Sequence, residues 1–154
     1  MRLTTRGRYA VTAMLHMALN NHSSNKAPFS LAEISSKLHI SLSYLEQIFH
    51  KLRRANLVQS FRGASGGYRL SKNISQITIA QIIDAVDESI DATHCGGKGD
   101  CNHGEMCLTH HLWEDLTDRI REFLEAITLA QLIESRHNPV ATLGDIEQML
   151  QFKN

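Results

Sequence analysis

The chain has no run of roughly eighteen apolar residues, so no segment is expected to cross a membrane as a helix. It also lacks a leader pattern. The opening MRLTTRGRYAVTAMLHMAL sets basic residues before a short apolar stretch, but His16 interrupts it and no small-residue cleavage site follows. A cytoplasmic protein is the expectation. Cysteine is scarce and odd in number, with three residues confined to one short stretch. In a reducing compartment that favours metal or redox chemistry over a disulfide framework. Neither a G-x-S-x-G nucleophile motif nor a Gly-rich phosphate loop between a strand and a helix is present, and no repeat or low-complexity tract appears. We expect no enzyme.

Net charge is also lacking, but the zero hides a division. Residues 1–70 carry ten Lys/Arg against two Asp/Glu, and residues 71–154 carry six against fourteen. The first half suits a polyanion and the second does not.

What is there reads as a mainly α chain with an N-terminal winged helix-turn-helix. A first helix is expected from Arg8 to about Asn21, with Thr4 or Thr5 as cap and Tyr9, Met14, Leu15 and Ala18 facing inward. A polar connector ends at Pro28. Ser30, with Glu33 three residues on, starts a helix to about Leu38 that buries Leu31, Ile34 and Leu38. After a turn at His39 and Ile40, Ser41 caps a second helix to about Ala55. Leu45, Ile48, Phe49 and Leu52 recur at helical spacing and face the core. Ser43, Gln47, His50 and Arg54 fall on the opposite side, with Ser41, Tyr44 and Glu46 near the N-terminal end; serine, glutamine and arginine suit base edges and phosphates. Two strands, Val58 to Arg62 and Tyr68 to Leu70, flank the glycine-rich turn and predict a wing with Arg62 beside its tip.

Thr78 is expected to cap a short helix from Ile79 to Val86. The stretch CGGKGDCNHGEMCLTH follows, with five residues between successive cysteines and two between Cys107 and His110. Cys95, Cys101, Cys107 and one imidazole can ligate zinc or an iron–sulfur cluster, and free redox thiols are a third reading. Both cysteine gaps exceed the usual zinc spacing. Beyond the loop, apolar residues from Leu112 to Leu132 predict one helix over Thr109 to His137, a rod of about 43 Å. Either a second copy of the chain or its own winged domain must cover it, and we expect a homodimer. After Pro139, Thr142 and Asp145 start a short terminal helix. The divisions expected are 1–76 for the winged helix-turn-helix, 77–108 for the connecting helix and cluster loop, and 109–154 for a long C-terminal dimerisation helix and tail.

The opening segment, ISLSYLEQIFHKLR, RGASGGYRL, IIDAVDESIDAT and the loop ending CLTH together resemble the Rrf-type winged-helix transcription factors, and among them the iron–sulfur cluster regulators. The resemblance spans about residues 1–135. It implies a homodimeric repressor that holds a [2Fe-2S] cluster, binds palindromic promoter sites in double-stranded DNA, and controls cluster-assembly genes. Cluster-assembly proteins are then its cluster donors. It implies Cys95, Cys101, Cys107 and His110 as ligands, and Arg2, Thr4, Ser41, Ser43, Tyr44, Glu46, Gln47 and Arg62 as DNA contacts, to which the helix face adds Arg54. His94, His103 and His111 are rival imidazoles.

Overall fold

The computed structural model describes residues 4–20, 27–87 and 90–137. Arg2, most of the polar connector and the terminal helix expected from Thr142 lie outside the described residues.

Helix α1 spans Thr5–Asn20, three residues earlier than expected at its start. Thr4 makes this possible, because its Oγ1 accepts the Arg6 N–H at 3.2 Å. All four residues of the expected inward face reach the core, though not to the same depth. Ala10, Ala13, Met14, Met17 and Ala18 are fully buried, while Tyr9 and Leu15 are only half-buried. Small alanines let neighbouring elements approach closely, and the bulkier residues border that strip.

Helix α2 spans Leu31–Leu38 and begins as the sequence predicts, with Ser30 Oγ accepting the Glu33 N–H at 3.1 Å. Ile34 is buried; Leu31 and Leu38 are half-buried. His39 takes a left-handed conformation that ends the helix, and Ser35 Oγ donates to the Ile40 carbonyl at 2.6 Å. Helix α3 spans Leu42–Arg54 and buries Leu45, Ile48, Phe49 and Leu52, the four residues its periodicity marks. Strands β1 (Val58–Phe61) and β2 (Gly67–Leu70) pair antiparallel, Val58 opposite Leu70 and Phe61 opposite Gly67. Phe29 adds a third rung by exchanging two 2.8 Å backbone hydrogen bonds with Tyr68. The Phe49 ring meets Tyr68 edge-on at 4.9 Å, which locks the wing to α3.

A single 3₁₀ turn, Ile74–Gln76, leads to α4, Ile79–Ala85. Thr78 and Gln81 form a full capping box at its start. Helix α5 spans His110–Ala126, and α6 spans Leu129–His137.

The single helix expected over Thr109 to His137 is therefore two. Ile127 is extended, with φ −100° and ψ 122°, and Thr128 bridges Thr78. The Ile79 N–H donates to the Ile127 carbonyl at 2.9 Å, and the Leu129 N–H to the Ile77 carbonyl at 3.0 Å. Thr128 and Gln131 cap α6 reciprocally, at 2.8 and 3.3 Å. These bonds replace the helical ones that an unbroken rod would make, and two β-branched residues suit the extended break. Helix α6 packs back on α1 and places Leu129 and Ile133 in the core.

Candidate metal centre and DNA-binding face

The segment between α4 and α5 is shaped by short-range bonds. Asp91 starts an Asx turn, its Oδ1 accepting from both the N–H and the hydroxyl of Thr93 at 2.7 Å. Thr93 Oγ1 in turn accepts the Gly97 N–H at 2.7 Å. The Ala92 N–H donates to Thr117 Oγ1 on α5 at 3.0 Å, which fastens the loop's start to that helix. Further on, Asn102 and Glu105 exchange backbone bonds at 2.8 and 2.9 Å around a two-residue turn. His103 and Gly104 occupy that turn with φ of 51° and 95°. Two consecutive positive φ values define a type I′ turn.

Cys95, Cys101 and His110 converge, with their ligand atoms all within 4.8 Å of one another. His110 Nδ1 lies 3.5 Å from Cys95 Sγ and 3.7 Å from Cys101 Sγ. His110 is the buried polar residue among the described residues, 3% exposed, and it opens α5. Cys107 stands beside this trio rather than in it. Its N–H donates to Cys101 Sγ at 3.1 Å, and its thiol lies 3.7 Å from Thr109 Oγ1.

The thiols differ in acidity. Burial pushes the Cys95 thiol up, but hydrogen bonds from Gly99, Thr93, Cys101 and Gly97 outweigh it and hold it below an ordinary thiol. The Cys107 thiol is lowered by its contacts with Cys101 and Thr109. Cys101 lies above the ordinary value, because the Cys107 thiol beside it raises it more than the Cys107 N–H lowers it. A loop that eases deprotonation at Cys95 and Cys107 suits metal ligation, which requires the deprotonated form.

The rival imidazoles lie elsewhere. His94 and His103 are exposed, His103 at the tip of its turn. His111 faces away from the trio, with Nδ1 3.4 Å from Glu114 Oε2 and a side chain 74% exposed. Sequence reasoning missed Thr93 and Thr109, which tune the thiols. The Asp-x-Thr spacing of the Asx turn was a readable signal for the first.

On the candidate DNA-binding face, Ser41, Ser43, Glu46 and Gln47 are exposed at the N-terminal half of α3. Ser41 occupies the N-cap position without a capping bond from its side chain. Tyr44 is half-buried and meets the Tyr9 ring edge-on at 6.0 Å, so part of its surface is committed to packing. Thr4 is exposed at the start of α1, and Arg62 is exposed at the wing tip. Arg54 closes the opposite end of α3, lining a surface cleft with Lys51, Asp84 and Asp87. A cation on the wing was overlooked: the Arg69 guanidinium stacks over the Phe61 ring at 4.6 Å.

The family described as Rrf2, iron-dependent transcriptional regulator, matches residues 3–135. The chain belongs to the Rrf2 family. It is 56% identical over 136 residues to the HTH-type transcriptional regulator IscR of Cronobacter sakazakii, covering 88% of this chain and 82% of that one. IscR of Escherichia coli O1:K1 matches with the same identity and coverage. Among solved structures, IscR of T. potens superposes with a TM-score of 0.70 at 32% identity, covering 88% of each chain. CymR, the global cysteine regulator of B. subtilis, superposes at 0.71 and 33% identity, covering 86% of this chain and 95% of that one. The winged helix of this Rrf2 protein is thus that of a DNA-binding transcriptional regulator, a non-enzymatic class, and a Cys/His group suited to metal accompanies it. Among the described residues no helix is long and apolar enough to cross a membrane.

Proposed function

We propose that this Rrf2 protein is a homodimeric cytoplasmic repressor that senses iron–sulfur cluster status through a [2Fe-2S] cluster and controls cluster-assembly genes. The observation that carries the reading is the buried His110 imidazole, turned toward two thiols at the first residue of α5. Cys95, Cys101, Cys107 and His110 hold the cluster; bound, it supplies a state that depends on iron and sulfide supply. The donor set fits the group, since thiolates with imidazole substitution are established cluster ligands. An imidazole ligand in place of a thiolate makes the set one charge less negative than four thiolates and binds iron less strongly than a thiolate does. Cluster is therefore held less firmly than by four cysteines, and cluster-assembly proteins serve as donors.

Palindromic promoter DNA is read by α3 through Ser43, Glu46 and Gln47. Arg2, Thr4, Ser41, Tyr44 and Arg54 add contacts, and Arg62 serves the minor groove. A dimer presents two such faces to the two half-sites. Support for the dimer comes from α5, whose Leu112, Leu116 and Phe123 are 60%, 40% and 46% exposed. A second copy covers that stripe isologously.

The test is binding to a palindromic promoter fragment, with and without reconstituted cluster, over a salt series. The expected result is a steep salt slope from phosphate contacts and an affinity that changes with the cluster. A tenfold change corresponds to about 1.4 kcal/mol of coupling, and DNA must then tighten cluster binding equally. Equal affinity in both forms refutes sensing. The mutual closeness of Cys95, Cys101 and His110 also suits one zinc ion. A colourless protein with stoichiometric zinc after anaerobic purification would establish that second reading.

A further inference from the structure

The C-terminal end of α4 carries charges of the wrong sign for its position. A helix C-terminus disfavours carboxylates, yet Asp84 lies in the last turn and Asp87 two residues past the helix. No basic residue occupies that turn. Asp87 also takes φ +56°, the left-handed conformation in which helix ends usually place glycine. Both carboxylates are engaged, and in opposite directions. Asp87 Oδ2 pairs with Lys51 Nζ of α3 at 2.6 Å. Asp84 Oδ2 pairs with Arg121 Nη1 of α5 at 3.2 Å. Arg6 of α1 adds a bond from Nη1 to the Val86 carbonyl at 3.4 Å, between the two.

We propose that Asp84 and Asp87 are positioning residues which make the end of α4 a junction between the helix that carries His110 and the helix that reads DNA. A displacement of α5 reaches α3 through Arg121, Asp84, Asp87 and Lys51 in turn. Helix α4 is the rigid element between the two pairs, because Ile79, Ile82 and Ile83 are buried on it. The junction bears on the sensing reading above, since it names the residues by which the site's state reaches the recognition helix. Neither carboxylate touches DNA or a thiol in this role. Each pair reaches solvent, Lys51 being the half-buried member, and each is individually weak, which suits a connection that adjusts an equilibrium without dominating stability.

Two measurements test the junction. The first needs no cluster: hydrogen exchange of the amides at the end of α3, Lys51 to Ala55, in wild type, Arg121→Ala and Asp84→Asn. Both substitutions lie outside α3, and both should speed exchange there by about twofold or more, while Asp84→Glu, which keeps the carboxylate, should not. Unchanged exchange in α3 overturns the junction. The second is the ratio of promoter affinities with and without reconstituted [2Fe-2S] cluster. Asp87→Asn should draw that ratio toward one by about two- to fivefold. Removing a negative charge also raises DNA affinity generally, but that effect is common to both forms and cancels in the ratio. A wild-type ratio retained in Asp87→Asn overturns the junction. A wild-type ratio of one overturns the sensing reading instead, and the exchange result then decides the junction by itself.

Discussion

Gly67 is the position where one added methyl group should do the most damage to the wing. It opposes Phe61 in the hairpin and has φ +153°. A Cβ there would lie 2.3 Å from the Phe29 carbonyl oxygen and 2.6 Å from its carbon. Both obstacles are backbone, so no side-chain rotation relieves them. Phe29 must move, and the two 2.8 Å hydrogen bonds it exchanges with Tyr68 are lost or stretched. At about 1 kcal/mol per bond, that loss is about 2 kcal/mol. Backbone strain adds about 1–3 kcal/mol for a residue other than glycine in this region. Gly63 supplies the control. Its φ is +111°, and nothing lies within 4 Å of its Cβ position, so Gly63→Ala carries strain without the clash. Urea unfolding at one fixed protomer concentration should place Gly67→Ala about 2 kcal/mol below Gly63→Ala, a midpoint difference of about 1 M. Equal midpoints for the two variants would refute the claim that Phe29 is a structural third rung of the wing.

Four further outcomes are expected. Phe49→Ala removes a fully buried ring that joins α3 to Tyr68, and should cost about 3–5 kcal/mol in the same unfolding assay. His110→Cys should retain cluster longer than wild type when challenged with an acceptor protein; equal retention would end the argument from imidazole lability. Glu46→Ala should change relative affinities across a panel of operator variants, because a carboxylate accepts from cytosine N4 and repels phosphates and acceptor-rich edges; a uniform shift across the panel would show that it does not discriminate. His16 lies below the usual imidazole range through burial and then Lys37, with Glu33 opposing. The unfolded chain therefore takes up this proton first as pH falls. Stability should drop as pH falls below about 6.5 and level off beneath the folded value. His16→Gln should flatten that part of a midpoint-against-pH curve.

The winged helix-turn-helix was legible because its signals are local. A helix of thirteen residues with four core positions at helical spacing admits one inward face, and it is the face observed on α3. The capping residues Ser30 and Thr78 were equally readable, since each bonds within three positions. The break at Ile127 was not. The apolar stripe continues in helical register through it, and what stops the helix is a bridge to Thr78, fifty residues earlier in the chain. The same limit applies to the inner face of α1, where Ala10, Ala13 and Met17 are fully buried and Tyr9 and Leu15 pack against the core only half-buried, because neighbours elsewhere in the chain set how deep each residue lies. At the candidate site, composition and spacing marked the thiols but left four imidazoles in competition. Backbone geometry separates them: a type I′ turn carries His103 to a tip, and the first turn of α5 sends His110 inward and His111 outward.

The bridge between Thr78 and Thr128 has a consequence for how the molecule divides its labour. Between Ile90 and Leu129 no apolar side chain among the described residues is fully withdrawn into the core. The chain leaves the DNA-reading body near Ile90 and rejoins it at Leu129, where α6 closes that body from the other side. Most of what lies between is an excursion, which touches the core again only through the half-buried Ile120, Leu124 and Ile127 and whose exit and return are held close to each other by α4 and the bridge. Such a body keeps its hydrophobic interior whether the excursion is filled or empty. The winged helix need not melt when the candidate metal site is empty, and the excursion can be replaced by another of different chemistry without rebuilding that body.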